Sequence, residues 1–385
     1  MEYDDTRLAD YTEDSRIGRG AIDLPFAILT LLLLTIGVVM VLSASYARAY
    51  YSTATNHKAT YYFVRQLIFA LGGVGVMYIL SKFPMGFYRR ISPLIMLAAL
   101  GTLLVVPIIG TRINGAKRWI NLGFTTFQPS EIAKVAVVMY FAMLICKYKG
   151  RMKTFRYGIL PFGVILLLIC GLLILEPHFS ACIIIVAIGA VMLYLGGARG
   201  IWFVGGFAGV GLALGVLMTF FPYAVDRINT WRDPFSDTSD AGYQIVQSLY
   251  AIGSGGLMGL GLGQGRQKYL YLPEEHNDFI FSVVCEELGF IGAMVILILF
   301  ALLIVRGYWL ALHMRDRYSF LVTGGLTTLL AIQVILNVAV VTNLIPCTGI
   351  SLPFFSYGGT ALLIQLAEMG IILSASRDIP AKVSG

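Results

Sequence analysis

Ten times along this chain an apolar run of about 20 residues returns, the length an α-helix needs to cross ~30 Å of hydrocarbon at 1.5 Å per residue. The runs lie at roughly 22–45, 62–82, 91–109, 129–147, 157–175, 179–197, 201–222, 278–305, 319–343 and 356–376. One soluble core is excluded, because 58% of the 385 residues are hydrophobic and only 13% are charged, more apolar side chain than a wettable surface can cover. The runs also lack the ~10-residue alternation of a membrane β-barrel. The expected fold is therefore an all-α polytopic membrane protein with ten transmembrane helices.

An even number of spans puts both termini on one side. The tails, Arg199 and the connections at 82–90, 147–156 and 306–317 then share that side and hold 17 of the 28 basic residues, so both termini are expected to be cytoplasmic. The expected division is a cytoplasmic tail at 1–21, a membrane domain at 22–376 and a second cytoplasmic tail at 377–385. The first 20 residues are polar and mixed in charge, unlike a cleaved signal, so the first apolar run serves as its own insertion signal. The net charge of +7 is scattered through loops, which argues for topology and anionic lipid and against a nucleic-acid partner. The five cysteines form no C-x-x-C pair and read as small core residues.

Two outward loops stand out. The loop 110–128 carries Arg112, Lys117 and Arg118 against the positive-inside tendency, and an anion held outside would be one use for them. The loop 223–277, between the seventh and eighth spans, is the only long connection, and connections of that length are functional or disordered. Its Trp231, Tyr243, Tyr250, Tyr269 and Tyr271 argue for order, and GYQIVQSLYAIG reads as a short amphipathic helix lying across the outer face. Within it the run GSGGLMGLGLGQG (253–265) contains no nucleotide-binding glycine pattern and reads as a tight-turning or re-entrant segment. In the seventh span Gly205, Gly209, Gly211 and Gly215 are spaced for helix packing.

Charges inside spans cost at least ~2.5 to 3.5 kcal/mol unless paired or wetted, so each invites an explanation. Arg65, Glu131, Lys134, Glu176, Glu286, Glu287 and Glu368 are of this kind. Glu131 and Lys134 stand at i, i+3, which suits an intrahelical ion pair; Lys134 and Arg65 also lie on the outward halves of their helices, which suits a cavity that binds phosphate oxygens. Both accounts stay open. Asp278 opens the eighth span, where it reads either as a helix N-cap or as a general base among apolar neighbours. Glu286 and Glu287 lie ~12 to 13 Å further along by helical rise and cannot share a proton with it. His276 either orients that base or is a surface histidine with no role.

Three segments carry a resemblance: NGAKRWINLGFTTFQPSEIAK (114–134), GYQIVQSLYAIGSGGLMGLGLGQGRQKYLYLPEEHNDFIFSVVCEELG (242–289) and NLIPCTGISLPFFSYGGTALL (343–363). In this order they resemble the SEDS family of shape, elongation, division and sporulation proteins typified by FtsW, RodA and SpoVE, and the G-L-G-Q-x-R-Q-K run is nearer to the FtsW and SpoVE branch. The resemblance implies a peptidoglycan glycosyltransferase of the bacterial cytoplasmic membrane that polymerises lipid II at the outer face. It also implies work beside a class B penicillin-binding transpeptidase and other divisome or elongasome membrane proteins. By resemblance Asp278, in L-P-E-x-H-x-D-F-I-F, takes the essential aspartate's place, with Glu274 and His276 as supports. Arg118, Trp119, Glu131 and Lys134 match the R-W-I and P-S-E-x-x-K positions, Ser356 opens the S-Y-G-G signature, and Arg65 joins the substrate-binding set as a cation. The turn Glu176–Ser180 departs from the family's E-P-D-x-G at His178 and Ser180, and Asn277 replaces a common threonine, which weakens any role for that turn. No carboxylate pair shows metal-ligand spacing, so participation of a divalent cation, Mg or Mn, stays open and no other cofactor is implied. A lipid II flippase and a non-catalytic scaffold for the transpeptidase are the rival readings, since either is served by intramembrane charges or by the outer loop.

Overall fold

The computed structural model describes residues 20–113, 116–123, 125–206, 209, 211, 215, 228–236 and 241–379. Helices dominate it: α1 (Leu24–Tyr51), α2 (Tyr61–Leu80), α3 (Met85–Ile109), α4 (Pro129–Lys147), α5 (Leu160–Leu175), α6 (Phe179–Leu195), α7 (Ala241–Gly255), α8 (Ile280–Leu312), α9 (Arg317–Val341) and α10 (Gly359–Ser376). Eight helical segments among the described residues are long and apolar enough to cross a membrane, and α6 is a shorter apolar helix of 17 residues. The expected seventh span, 201–222, falls mostly outside the described residues, as do most of both tails. Its Gly205, Gly209, Gly211 and Gly215 have no described atom within 4 Å of an added Cβ, so the packing role expected for them finds no described partner.

Local chemistry sets the helix starts. Asp23 accepts the Phe26 N–H at 2.9 Å and Asp316 the Ser319 N–H at 3.1 Å, each capping an end whose first amides lack helical partners. Prolines occupy the first turns of α1, α4 and α5, where no amide hydrogen is needed. The helices sort by burial into two layers. In α4 and α10, 78% of the apolar window is buried, against 22% in α2 and 28% in α3 and α8, so α4, α9 and α10 form the interior and the others present apolar flanks outward. α10 packs on α2, α3 on α4, α9 on α8, and α1 on both α2 and α8.

Two features were not expected. The loop 110–128 forms a three-stranded antiparallel sheet of β1 (Thr111–Ile113), β2 (Ala116–Asn121) and β3 (Thr126–Phe127), which lies between α3 and α4 and touches both. And α8 is broken at Gly289, whose φ of 68° and ψ of −172° are non-helical. The break frees backbone groups, and the Gly-rich run answers them. Leu260 and Gly261 N–H groups donate to the Glu286 and Glu287 carbonyls, both at 3.0 Å, while Phe290 and Ile291 N–H groups donate to the Gly256 and Leu257 carbonyls at 2.9 and 3.1 Å. Broken backbone at membrane depth is tolerated where protein satisfies it in this way.

Candidate functional site

Residues of α1, α2, α4, α9 and α10 and the segments between them enclose a cavity of about 490 Å³. Its walls hold Asp278, Arg65, Arg118, Trp119, Glu131, Lys134, Glu274, His276 and Ser356, the residues expected to bind or act on substrate, while Lys117 and the buried Glu176, Glu286, Glu287 and Glu368 are not among its lining. The expected residues come from four separated stretches of chain.

Asp278 does not cap α8. The helix begins at Ile280 with Phe279 in the cap position, so Asp278 stands one residue outside it. Its backbone is tied down on both sides. Asn337 of α9, fully buried, donates through Nδ2 to the Asp278 carbonyl at 2.9 Å and to the Ile350 carbonyl at 2.6 Å, and Ser356 Oγ donates to the Asn277 carbonyl at 2.8 Å. Gly349, at a φ of 62°, faces the carboxylate, and a Cβ there would sit 3.1 Å from Oδ2. His276 gives its carbonyl to the Tyr357 N–H at 2.8 Å and packs its ring on Tyr62, 4.7 Å between centroids. Asn277 Nδ2 donates to Glu274 Oε2 at 2.6 Å.

The cations reach the cavity from other elements. Lys134 Nζ lies 2.7 Å from Glu131 Oε2, and both side chains are less than a tenth exposed, so the i, i+3 ion pair exists and lines the cavity at the same time. Arg65 lies over the Tyr61 ring at 4.6 Å. Arg118, on β2, donates to the backbone carbonyls of Glu176 and Pro177. That anchoring gives the Glu176–Ser180 turn more weight than its departures from the family pattern suggested: His178 and Ser180 line the cavity. Burial, followed by the charges of Arg118 and Lys134, pushes the His178 imidazole down to about 3, so it is neutral. Burial pushes the Glu176 carboxyl up to about 8, opposed by Arg118.

Several residues escaped the sequence reading. Arg48, at the end of α1, lines the cavity and forms a two-pronged pair with the wholly buried Glu275, Nε to Oε1 and Nη2 to Oε2, both 2.7 Å. An arginine closing an apolar run among tyrosines was the available signal. Glu286 and Glu287 prove to be anchors. Glu286 accepts the Arg266 and Gln267 amides, and Glu287 accepts those of Gly263 and Gly265, the Ser43 hydroxyl and the Lys268 ammonium. No group of three or more His, Cys, Asp or Glu suited to a metal occurs among the described residues.

The helices, with a polar cavity walled by one acidic stretch and several cations, define a polytopic helical membrane protein with room for a charged headgroup. The chain belongs to the FtsW/RodA/SpoVE family of cell cycle proteins, whose model matches residues 24–379. It is 40% identical to the stage V sporulation protein E of Bacillus subtilis, with 92% of this chain and 97% of that one covered. It is likewise 40% identical to a probable peptidoglycan glycosyltransferase FtsW of Trichlorobacter lovleyi, with 97% and 95% covered. Its fold is similar to a chain of a peptidoglycan synthase complex that coordinates polymerization and crosslinking, with a TM-score of 0.77 at 28% identity over 93% of this chain and 98% of that one. The rod shape determining protein RodA of Thermus thermophilus gives a TM-score of 0.69 at 27% identity, over 94% and 99%.

Proposed function

We propose that this protein is a peptidoglycan glycosyltransferase that polymerises lipid II at the outer face of the bacterial cytoplasmic membrane, in division or sporulation. The observation that carries the proposal is Asp278 on the wall of the same cavity as Arg65, Arg118 and Lys134. The relatives named as probable peptidoglycan glycosyltransferases support the reaction class. Support for an outward cavity comes from charge. The ends of α2, α4 and α8 away from the cavity adjoin the basic connections at 82–90, 147–156 and 306–317, the side that the positive-inside tendency makes cytoplasmic.

In this mechanism Asp278 takes the proton from the 4-hydroxyl of the acceptor's N-acetylglucosamine. The oxygen attacks C1 of the donor's N-acetylmuramic acid from the face opposite the leaving group. The C1–oxygen bond to undecaprenyl pyrophosphate breaks with inversion, and the proton passes from Asp278 to water. Arg65, Arg118 and Lys134 neutralise the departing pyrophosphate, with donors already fixed before charge develops. Glu131 holds Lys134 in place, Glu274 and His276 support the aspartate's segment, Ser356 anchors the backbone beside it, and Trp119 offers an aromatic wall. The polyprenyl tails stay in the bilayer between the apolar outer faces of the helices. A class B penicillin-binding transpeptidase is the proposed partner, in keeping with the fold's similarity to a chain of a peptidoglycan synthase complex.

The test uses purified full-length protein with lipid II, with and without the partner, and reads glycan chains. Wild type is expected to make polymer, Asp278→Ala at least about 100-fold less, and Lys134→Ala about 10- to 100-fold less. Lipid translocation that survives Asp278→Ala would replace the enzyme with a flippase. Partner binding with neither activity would leave a scaffold.

A further inference from the structure

The four residues from Glu275 to Asp278 are each held by another part of the molecule. The carbonyls of His276, Asn277 and Asp278 are held by Tyr357, Ser356 and Asn337, all from α9 or the segment leading to α10. The Glu275 side chain is held by Arg48 of α1, and the His276 ring packs on Tyr62 of α2. α1 grips the same length of chain a second time, one turn and a half further down, where Ser43 Oγ donates to Glu287 and accepts from Lys268 Nζ at 3.0 Å. Asp278 lies between these two grips.

The grips matter because Asp278 is not carried by a long helix. The stretch from Ile280 is cut off from the remainder of α8 at Gly289, so the stiffness of residues 290–312 does not fix where Asp278 sits. A short helical stub is placed by its lateral contacts. We propose that Arg48 and Glu275 form a positioning pair that clamps the Asp278 segment to α1 and so sets the aspartate's place on the cavity wall, acting through the chain and not on the substrate. The proposal rests on the glycosyltransferase reading above.

Arg48 also lines the cavity, so direct contact with a substrate phosphate is the rival role. The geometry favours positioning. Both prongs of the guanidinium fork are spent on one carboxylate, and that carboxylate is wholly buried while the Arg48 side chain is 31% exposed. Turning the fork to a substrate would strand the Glu275 charge away from water, with only His276 Nδ1 near it at 3.7 Å.

The experiment is a double-mutant cycle on the full-length protein in lipid nanodiscs, with Arg48→Gln, Glu275→Gln and both together. Initial polymerisation rates against lipid II concentration give kcat and KM. Each single variant is expected to lose about 10- to 100-fold in kcat, the effect of a displacement near 1 Å, with KM within about twofold. The double variant is expected to lose no more than the worse single variant. Arg48→Lys, which keeps the charge without the fork, is expected to recover part of the rate, and it also serves if a Gln variant does not fold. A raised KM for the Arg48 variants together with additive losses would overturn the clamp in favour of a phosphate contact. Hydrogen exchange is read on the same samples. Glu275→Gln is expected to speed exchange in residues 274–280 and leave the centre of α9 unchanged. If wild type makes no polymer even with the transpeptidase present, the glycosyltransferase reading fails by itself and exchange alone decides the clamp: unchanged protection at 274–280 would overturn it.

Discussion

The role proposed for Asp278 makes two demands that ordinarily conflict. A base must be ionised and reachable, and it must also be held still. Its neighbours separate the tasks: the backbone of 276–278 is held by Tyr357, Ser356 and Asn337, which leaves the carboxylate to face Gly349 and the cavity. Sequence position alone favoured the cap over the base, and the start of α8 at Ile280, with Phe279 in the cap position, sets the cap aside. Glu131 and Lys134 taught the converse. Their spacing made the ion pair legible, whereas Tyr62 of α2 and Gln365 of α10, which line the same cavity, were not, because contacts between distant segments leave no trace in i, i+3 periodicity. Glu176 supplies a pH test. Its carboxyl titrates at about 8 in the folded protein, against 4.5 for the free group, because burial disfavours the charge more than Arg118 favours it. Folded protein therefore holds the proton more tightly than unfolded protein. The stabilisation is complete below about pH 4.5 and is lost as pH rises towards and through about 8. Detergent melts between pH 5 and 9 should fall with pH in wild type and fall less in Glu176→Gln, which should be the more stable of the two at pH 9. Parallel pH curves would show that Glu176 ionises freely.

At the scale of elements, periodicity read best where one helix runs between clear punctuation. The run 129–147 was bounded to the residue, because Pro129 opens it and Lys147 closes it. It read least well at α8, where an uninterrupted apolar pattern conceals the break at Gly289, and at 110–128, where strands of two to six residues are too short to show alternation. The Gly-rich run was legible as a tight turn, and what it turned around was not. Gly289 and Gly259 face each other across that contact at positive φ, with an added Cβ 2.2 Å from Gly259 N in the first case and from Glu287 O in the second. Neither has space for a methyl group, and both occupy backbone that side chains avoid. Gly289→Ala is expected to cost about 2 to 4 kcal/mol and lower the melting temperature by several degrees. Gly86→Ala, in the open at the start of α3, should leave it unchanged. Equal melts for the two variants would mean that the kink is not fixed by this contact.

For the whole molecule, the count of apolar runs foretold the helical membrane architecture because span length is dictated by bilayer thickness, a constraint that acts on each segment separately. The cavity had no such local signature. It arises where α1, α2, α4, α9 and α10 converge, and the charges that line it are spread from Arg48 to Asp278, so depth in the spans paired only Arg65 with Lys134, the resemblance joined Arg118 and Asp278 to them, and Arg48 was missed. The direction in which it opens decides its function, since a polymer of cell-wall glycan has to form outside. The proposed orientation puts the basic residues 147–156 in the cytoplasm, and with them the sheet at 111–127 and the cavity mouth outside. Leu122, 48% exposed, and Lys153, also exposed, mark the two sides. In intact cells, with the five native cysteines replaced by alanine, a membrane-impermeant maleimide should label Leu122→Cys at once and Lys153→Cys only after permeabilisation. The reverse order would turn the cavity toward the cytoplasm. Asp278 would then face the compartment in which the lipid-linked precursor is completed, and a role in loading or translocating that lipid would have to replace polymerisation.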